Sequence, residues 1–352
     1  MDRVPVRDEL ADVEPYGAPQ LDVPVRLNTN ETPFRPPDAF FEQLAKRVAA
    51  LDLQRYPDRR AWALRTELGR RFGLPPGRVW AANGSNEILQ QLLQAYGGSG
   101  RRLLVFRPGY SMYPLLAKAT ATPMAVVDLD RGGYLDETVA RRAAETEQPD
   151  IVFLDSPNNP TGITAPLGAV RQLHEHSRAL VVVDEAYVEF GGDSAVALLD
   201  ELPRLAVCRT FSKAWRLAGL RLGYLLAHEW VVDDLRKVRL PYHLDALTQA
   251  AGLTALELAD DVTAHVEVLV GERERLVEAL RQIGGVEVWE ESRANFLLFS
   301  TAVPDLFDRL LAKGVLVRDF SREPLLDGCL RVTVGTRGEN DTFLTALREC
   351  LQ

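Results

Sequence analysis

The sequence has few cysteines, and their positions exclude two kinds of site. Its 352 residues include three widely spaced cysteines, Cys208, Cys329 and Cys350. They form neither a disulfide framework nor a zinc-binding pattern, so we expect reduced thiols. His174 and His176 are two residues apart on a predicted helix and therefore point to different sides. We expect no metal site.

The sequence also lacks long apolar runs and an excess of basic charge. It has no stretch of about 20 uninterrupted apolar residues, the length that a membrane-spanning helix needs. The net charge is −9 and no basic stripe is visible, which argues against nucleic-acid binding as the main task. Charged residues near the start of the chain interrupt any apolar run and predict no secretory signal. We therefore expect a soluble cytoplasmic enzyme, long enough for two lobes, with no membrane or nucleic-acid partner.

One lysine lies in a setting that suits a phosphorylated aldehyde. Residues 210–214 read TFSKA and residues 218–223 read AGLRLG, so Lys213 follows two hydroxyl residues and precedes Arg221 by eight positions. A lysine amine forms a Schiff base with an aldehyde, while hydroxyls and a guanidinium bind a phosphate dianion. The pattern indicates pyridoxal 5'-phosphate (PLP). A Ser-Lys pair on a surface turn is the alternative for this stretch alone.

Two apolar segments upstream end in polar residues. Residues 180–187 read LVVVDEAY and residues 151–162 read IVFLDSPNNPTG. Each apolar run is typical of a parallel strand buried on both faces, whose end reaches the sheet edge where ligands bind. Asp184 could there pair with a protonated pyridine nitrogen, although a helix cap or turn is the alternative. The asparagines of the second loop are available to a ligand oxygen.

A helix start and a late strand complete the pattern. Residues 85–96 have apolar side chains at helical spacing, so Ser85 and Asn86 lie near a helix N-terminus, which attracts anions, or simply cap it. In residues 329–335 (CLRVTVG) apolar residues alternate with others, which predicts a half-exposed strand with Arg331 on one face. A solvated arginine is the alternative there, as it is for Arg318.

Together these motifs resemble the fold-type I PLP-dependent aminotransferases. The matching segments are 158–162 (NNPTG), 184–187 (DEAY), 212–214 (SKA) with Arg221, and 329–335 (CLRVTVG). Within that superfamily the chain is most similar to the histidinol-phosphate aminotransferases. This closer similarity rests on segments 15–20 (PYGAPQ), 27–31 (LNTNE), 55–58 (RYPD), 81–87 (AANGSNE) and 240–244 (LPYHL).

The resemblance implies an α/β fold in three parts. We expect an N-terminal arm over the active site (1–37), a large PLP-binding domain with a mainly parallel seven-stranded sheet sandwiched by helices (38–241), and a small α/β domain (242–352). Alternating helical and apolar segments support a parallel sheet. The predicted strands of the large domain are 79–82, 103–106, 125–129, 151–155, 180–184 and 205–209. Those of the small domain are 295–300, 315–318 and 330–334.

The resemblance also implies a role for each site residue. Lys213 would hold the cofactor covalently and then act as general acid and base. Asp184 would pair with the ring nitrogen, Asn159 and Tyr187 would hold the ring oxygen, and Tyr110 would stack on the ring. The implied phosphate ligands are Ser85, Asn86, Thr210, Ser212, Arg221 and, from the second subunit of a homodimer, Tyr56. The implied substrate-binding residues are Tyr16, Asn30, Tyr242, Arg318 and Arg331.

The implied reaction is a step of histidine biosynthesis. It is the transamination of L-histidinol phosphate with 2-oxoglutarate, which gives imidazole acetol phosphate and L-glutamate. An aromatic amino acid (Phe, Tyr or Trp) aminotransferase is the alternative, because Thr32, Phe34 and Trp215 stand where the family more often has Asn, Tyr and Phe. A PLP-dependent decarboxylase and a non-catalytic PLP-binding protein are two further alternatives.

Overall fold

The computed structural model describes residues 4–15, 17 and 19–352. Within them, helices α1 to α11 span Asp38–Ala49, Trp62–Phe72, Ser85–Tyr96, Met112–Ala119, Glu137–Glu147, Leu167–Glu175, Glu229–Val238, Ala246–Glu257, Ala259–Arg281, Leu306–Ala312 and Arg337–Cys350. Strands β1 to β13 span Val25–Arg26, Val79–Ala82, Leu103–Arg107, Met124–Asp128, Ile151–Asp155, Leu180–Asp184, Leu205–Thr210, Gly223–Ala227, Val286–Val288, Phe296–Thr301, Val315–Leu316, Arg318–Asp319 and Cys329–Thr333.

The largest sheet has seven strands in the order β2-β8-β7-β6-β5-β3-β4. Neighbouring strands from β7 to β4 run parallel, whereas β8 is antiparallel to both β7 and β2. The central strands β5, β6 and β7 are buried along their whole length, which explains why they are continuous apolar runs. The predicted α/β class and mainly parallel seven-stranded sheet are confirmed.

Helices cover both faces of this sheet. Successive strand residues alternate between two apolar clusters: Phe153 and Val182 pack in one, and Val152 and Val183 in the other. The first cluster includes side chains of α3, α4 and α7, and the second includes side chains of α2, α5 and α6. Because both faces are filled by helices, the carboxyl edge of the sheet is where its polar side chains collect.

A smaller sheet forms in the last third of the chain. Its four strands follow the antiparallel order β12-β13-β10-β9, while β1 and β11 form a separate parallel pair in which Val25 lies opposite Val315. Arg273 of α9 is buried and donates to the carbonyls of Phe190 and Ala294. This arginine therefore ties α9 to the segment after β6 and to the segment before β10.

Most predicted strands lie within one or two residues of the observed ones. The segments 79–82, 151–155 and 180–184 match β2, β5 and β6 in both bounds. The predicted strand 315–318 is instead two short strands, β11 and β12, which pair with different partners. Among the described residues, no helix is long and apolar enough to span a bilayer.

Candidate active site

The site lies where several strands of the large sheet end. Strands β5, β6 and β7 end at Asp155, Asp184 and Thr210, and α3 begins three residues after β2. A cavity opens at this edge. The predicted site residues that line it are Asn30, Ser85, Asn86, Tyr110, Asn159, Asp184, Tyr187, Thr210, Ser212, Lys213, Arg221, Arg318 and Arg331. Asn30 and Arg331, which are far apart in the sequence, thus line the same cavity.

Three predicted residues are not among those that line the cavity. Tyr56 and Tyr242 stack on each other with ring centroids 4.3 Å apart. Tyr56 is 79% exposed and Tyr242 is 39% exposed, so the pair lies at the surface of the chain. Tyr16 lies outside the described residues.

Lys213 projects into the cavity from the loop that follows β7. Its Nζ donates a hydrogen bond to the carbonyl of Thr29 at 2.8 Å and lies 5.8 Å from the centre of the Tyr187 ring. Burial lowers the pKa of Lys213 from 10.5 to about 7, and the positive charge of Arg331 acts in the same direction. A large share of this amine is therefore neutral near pH 7, as a nucleophile or general base requires.

Asp184 is buried at the end of β6. Burial raises the pKa of its carboxyl group from 3.8 to about 7, and the Tyr113 hydroxyl opposes this by donating to Oδ2 at 3.4 Å. Oδ1 accepts no hydrogen bond from any residue that the structure describes. A buried carboxylate oxygen of this kind needs a donor, and a protonated ring nitrogen would be one that also holds the group ionised.

Asn159 and Tyr187 lie near this acid. The Tyr187 hydroxyl accepts a hydrogen bond from Asn30 Nδ2 at 2.9 Å. Asn159 Oδ1 accepts a hydrogen bond from Arg331 Nη1. Because the amide oxygen of Asn159 is used in this way, its NH₂ group is the part with which it can donate to a ligand oxygen.

The start of α3 offers backbone N–H groups to an anion. Gly84 is the N-cap residue, with φ +83°, and no described side chain caps the helix. The alternative that Ser85 or Asn86 serves as a cap is therefore wrong; both are the first residues of the helix itself. The free N–H groups of this 12-residue helix and its dipole favour negative charge.

Hydroxyl and guanidinium groups stand close to this helix start. Thr210 Oγ1 donates to Ser212 Oγ at 2.9 Å, and Arg221 Nη1 donates to the same oxygen at 3.3 Å. A Cβ atom added to Gly84 would lie 2.9 Å from Arg221 Nη2, and the φ of +83° at this position also favours glycine. These groups and the helix N-terminus fit a phosphate.

Arg331 is buried, which corrects the prediction of a half-exposed strand. All five residues of β13 are buried, because β10 and β12 flank the strand and the segment around Asn28 covers it. Arg331 Nη2 donates to the Asn28 carbonyl at 2.8 Å, and the guanidinium lies 5.0 Å from the Phe296 ring centre. Arg318 lines the same cavity and donates to the Gly17 carbonyl at 3.0 Å.

Sequence reasoning missed several residues of the site. Asp155, Thr29, Ser111 and Phe320 also line the cavity. Asp155 ends an apolar strand as Asp184 does, so the same pattern could have identified it. The role of Thr29 depends on a backbone carbonyl, which has no sequence signal. Among the described residues, no group of three or more His, Cys, Asp or Glu could hold a metal ion.

We call the start of α3 together with Thr210, Ser212 and Arg221 the anion cradle. Lys213, Asp184 and this cradle line one cavity, an arrangement that suits an enzyme with a phosphorylated aldehyde cofactor. The chain belongs to the class I and II aminotransferase family, whose model matches residues 23–347. It is 50% identical to the histidinol-phosphate aminotransferase of Streptomyces avermitilis and 46% identical to that of Corynebacterium diphtheriae, in each case over 99% of this chain and 97% of the relative. The crystal structure of histidinol-phosphate aminotransferase from Sinorhizobium meliloti in complex with pyridoxal-5'-phosphate superimposes with a TM-score of 0.84. At 24% identity that match covers 94% of this chain and 91% of the other, and it shows the fold-type I architecture.

Proposed function

We propose that this protein transfers the amino group of L-histidinol phosphate to 2-oxoglutarate, with PLP as the cofactor. The products are imidazole acetol phosphate and L-glutamate, and the reaction is a step of histidine biosynthesis. The observation that carries the proposal is that Lys213 and Asp184 line one cavity together with the anion cradle at the start of α3. Relatives that are 46–50% identical over nearly the whole chain are histidinol-phosphate aminotransferases.

We assign the cofactor end of the site to groups that the chain already holds in place. When bound, PLP supplies a covalent attachment for the substrate amine and an electron sink for the negative charge left at Cα. Asp184 Oδ1 would accept the ring-nitrogen proton, and the NH₂ group of Asn159 and the Tyr187 hydroxyl would contact the ring oxygen. The phosphate would be bound by Ser85, Asn86, Thr210, Ser212 and Arg221, and Tyr110 would stack on the ring.

Lys213 would perform the proton transfers. With a pKa lowered to about 7, its Nζ can accept a proton from the substrate Cα and return one, because both protonation states are populated at neutral pH. The Thr29 carbonyl accepts one N–H of this amine and so fixes the direction in which it points. We infer that this contact orients Nζ toward the reacting carbon.

The substrate end of the site is positively charged. Arg331 and Arg318 both line the cavity, and a guanidinium binds phosphate with two parallel hydrogen bonds. We propose that Arg331, helped by Arg318, binds the phosphate of histidinol phosphate, and that Asn30, Tyr16 and Tyr242 complete the substrate contacts.

We further propose that the chain acts as a cytoplasmic homodimer. The exposed ring of Tyr56 is available to a second subunit, and we propose that it reaches the phosphate site of that subunit. In this arrangement residues 1–37 form an arm over the active site, residues 38–241 the large domain and residues 242–352 the small domain.

Paired kinetics test the function. With 2-oxoglutarate as acceptor, we expect kcat/KM to be higher for histidinol phosphate than for phenylalanine. A phenylalanine value equal to or above it would favour the aromatic aminotransferase, and release of CO₂ without need for 2-oxoglutarate would favour the decarboxylase.

A lysine variant tests the mechanism. We expect Lys213→Ala to abolish turnover and the visible absorption of the PLP-loaded protein, because the covalent attachment and the general base are both lost. Lys237→Ala is the control, since that lysine is exposed and pairs with Asp234 on the same helix. Transamination by Lys213→Ala would show that a different lysine carries the reaction.

A further inference from the structure

Asp155 is a second buried acid at the edge of the sheet. It is the last residue of β5 and lies directly opposite Asp184 in the parallel pairing of β5 with β6. It is 6% exposed and lines the same cavity as Lys213. The roles proposed above for the cofactor and the substrate leave this carboxyl group unused.

The loop that follows β5 is folded around this carboxyl group. Oδ2 of Asp155 accepts a hydrogen bond from the backbone N–H of Asn159 at 2.7 Å, and Oδ1 accepts one from Asn158 Nδ2 at 3.3 Å. Asn158 also donates to the Pro108 carbonyl at 3.0 Å and accepts from the Thr161 hydroxyl at 2.8 Å. Asp155 therefore fixes the backbone at Asn159, and Asn158 anchors the rest of the loop.

Hydrogen bonds also link Asn159 to the substrate end of the site. The side-chain oxygen of Asn159 accepts from Arg331, whose other terminal nitrogen donates to the Asn28 carbonyl. A shift of the Asn159 backbone would move its NH₂ group and remove a contact that orients Arg331. Asp155 is thus linked through one residue to both ends of the site.

Burying a carboxyl group at this position costs free energy, which its hydrogen bonds must offset. Burial raises the pKa of Asp155 to about 7, and the charge of Asp184 acts in the same direction, while the Asn159 N–H opposes both. The four preceding residues of β5 are apolar and fully buried, so packing alone would favour another apolar side chain here. The two hydrogen bonds to the loop are the contacts that an apolar residue could not make.

We propose that Asp155 is a positioning residue for the reaction, which holds Asn159 against the cofactor ring oxygen and, through Asn159, orients Arg331 toward the substrate phosphate. The part of this inference that concerns Arg331 and the substrate phosphate rests on the proposed function. The part that concerns Asn159 and the ring oxygen depends on PLP binding alone.

The test compares Asp155→Leu, Asp155→Ala and Asp155→Asn with the wild-type holoenzyme. Leucine removes the acceptor and keeps the branched shape with a larger volume, alanine removes it without adding volume, and asparagine keeps an acceptor for the strong bond from the Asn159 N–H. We expect the first two to lower kcat/KM for histidinol phosphate about 100-fold, with a raised KM, and to weaken PLP binding by the apo protein about tenfold. We expect Asp155→Asn to remain within about tenfold of wild type in kcat/KM.

Asp136→Ala is the matched control. Asp136 also accepts a backbone N–H, that of Val139 at 2.7 Å, but it caps α5 away from the cavity. We expect this variant to lower the melting temperature while kcat/KM stays within about twofold of wild type.

Three results would overturn the assignment. The first is a folded Asp155→Leu or Asp155→Ala variant with wild-type kinetics and PLP affinity. The second is an Asp155→Asn variant that loses as much activity as Asp155→Leu or Asp155→Ala. The third is a loss of kcat/KM in Asp136→Ala equal to that in the Asp155 variants. If the wild type itself fails to transaminate histidinol phosphate, the proposed function is wrong. The PLP-affinity measurements then still decide whether Asp155 positions Asn159.

Discussion

At the scale of single residues, the site is defined by burial acting on charge. Lys213 and the two acids at the strand ends are ordinary ionisable groups, yet each has a pKa of about 7 in the folded protein. Burial is the largest cause in all three cases, because a low-dielectric setting disfavours the charged form of a base and of an acid alike. Proton transfer near neutral pH therefore follows from where these side chains lie.

The lowered pKa of Lys213 predicts how the apo protein captures PLP. The neutral amine attacks the aldehyde, so the capture rate follows the fraction of Lys213 that has lost its proton. With the pKa at about 7, we expect the rate constant to rise with pH, to be half-maximal near pH 7 and then to level off. Stopped-flow absorbance after mixing apo protein with PLP measures it. A rate constant that still rises tenfold per pH unit between about pH 8 and 10 would mean that the amine has the pKa of an exposed lysine.

At the scale of elements, the contact between β8 and α3 shapes the anion cradle. Strand β8 approaches the helix start so closely that a Cβ atom on Gly223 would lie 2.6 Å from the backbone nitrogen of Ser85. We expect Gly223→Ala to displace the helix start and to raise the dissociation constant of PLP about tenfold or more, because overpacking of this kind costs about 1–3 kcal/mol. Fluorescence titration of the apo protein measures this constant.

Gly219→Ala is the control for that substitution. A Cβ atom on Gly219 would meet nothing within 4 Å, although the residue lies two positions before Arg221. We expect its PLP affinity to be unchanged. Equal affinities for the two alanine variants would show that the close approach of β8 does not matter for the cradle.

A buried ion pair lies next to the carboxyl end of β6. Arg209 of β7 donates to Glu185, the residue after Asp184, at 2.8–3.0 Å, and the side chains are 11% and 1% exposed. Glu189 is half-buried nearby, and burial raises its pKa. We expect Arg209→Met to lower the free energy of unfolding by about 3–5 kcal/mol, because it leaves the buried carboxylate of Glu185 without its cation. Denaturant titration measures the change.

An exposed pair provides the comparison. Arg236 and Asp233 lie on one face of α7 with side chains 41% and 59% exposed. We expect Arg236→Met to change the free energy of unfolding by less than about 1 kcal/mol. If both variants lose a similar free energy of unfolding, the buried ion pair of Arg209 stabilises the protein no more than the exposed pair does.

At the scale of the whole molecule, the sequence predicts most strands of the large sheet, including its edge strands β2 and β4, but neither β8 nor the two-residue β1. The parallel strands β5 and β6 were predictable because burial on both faces requires continuous apolar runs. The antiparallel strand β8 was missed, because its five residues follow Arg221 almost directly and its first residue, Gly223, belongs to the segment 218–223 that was interpreted as part of the site. The two-residue strand β1 also has no local signal, because it exists only through its pairing with β11.

The residues of the candidate site likewise fall into those that the sequence predicts and those that it does not. Lys213 follows from the hydroxyl residues and the arginine around it, and Asp184 and the start of α3 follow from strand-end and helix-start patterns. The structure brings these groups together. The burial of Arg331 could not be predicted from alternation alone, because it depends on segments distant in the sequence that cover β13. The proposed role of Tyr56 requires a second subunit, and such a contact has no local sequence signal.

A complementation experiment tests the proposed dimer. If Tyr56 serves the partner's site, co-expressed Tyr56→Ala and Lys213→Ala chains form mixed dimers in which one site has both residues. We expect about a quarter of wild-type activity from random pairing, above that of either variant alone. Activity no higher than the sum of the separate variants, or a monomer in sedimentation velocity, would contradict a shared site.

The contacts of residues 25–30 with residues 315–333 have a consequence for how this protein folds as it is synthesised. Val25 pairs with β11, and the backbone N–H of Asn30 donates to the Thr333 hydroxyl, 303 positions later. A ribosome releases the N-terminal end of a chain first, so residues 25–30 must wait for these partners until residues 315–333 have emerged. Only then can Lys213 donate its hydrogen bond to the Thr29 carbonyl, so we expect the candidate site to be completed late in folding.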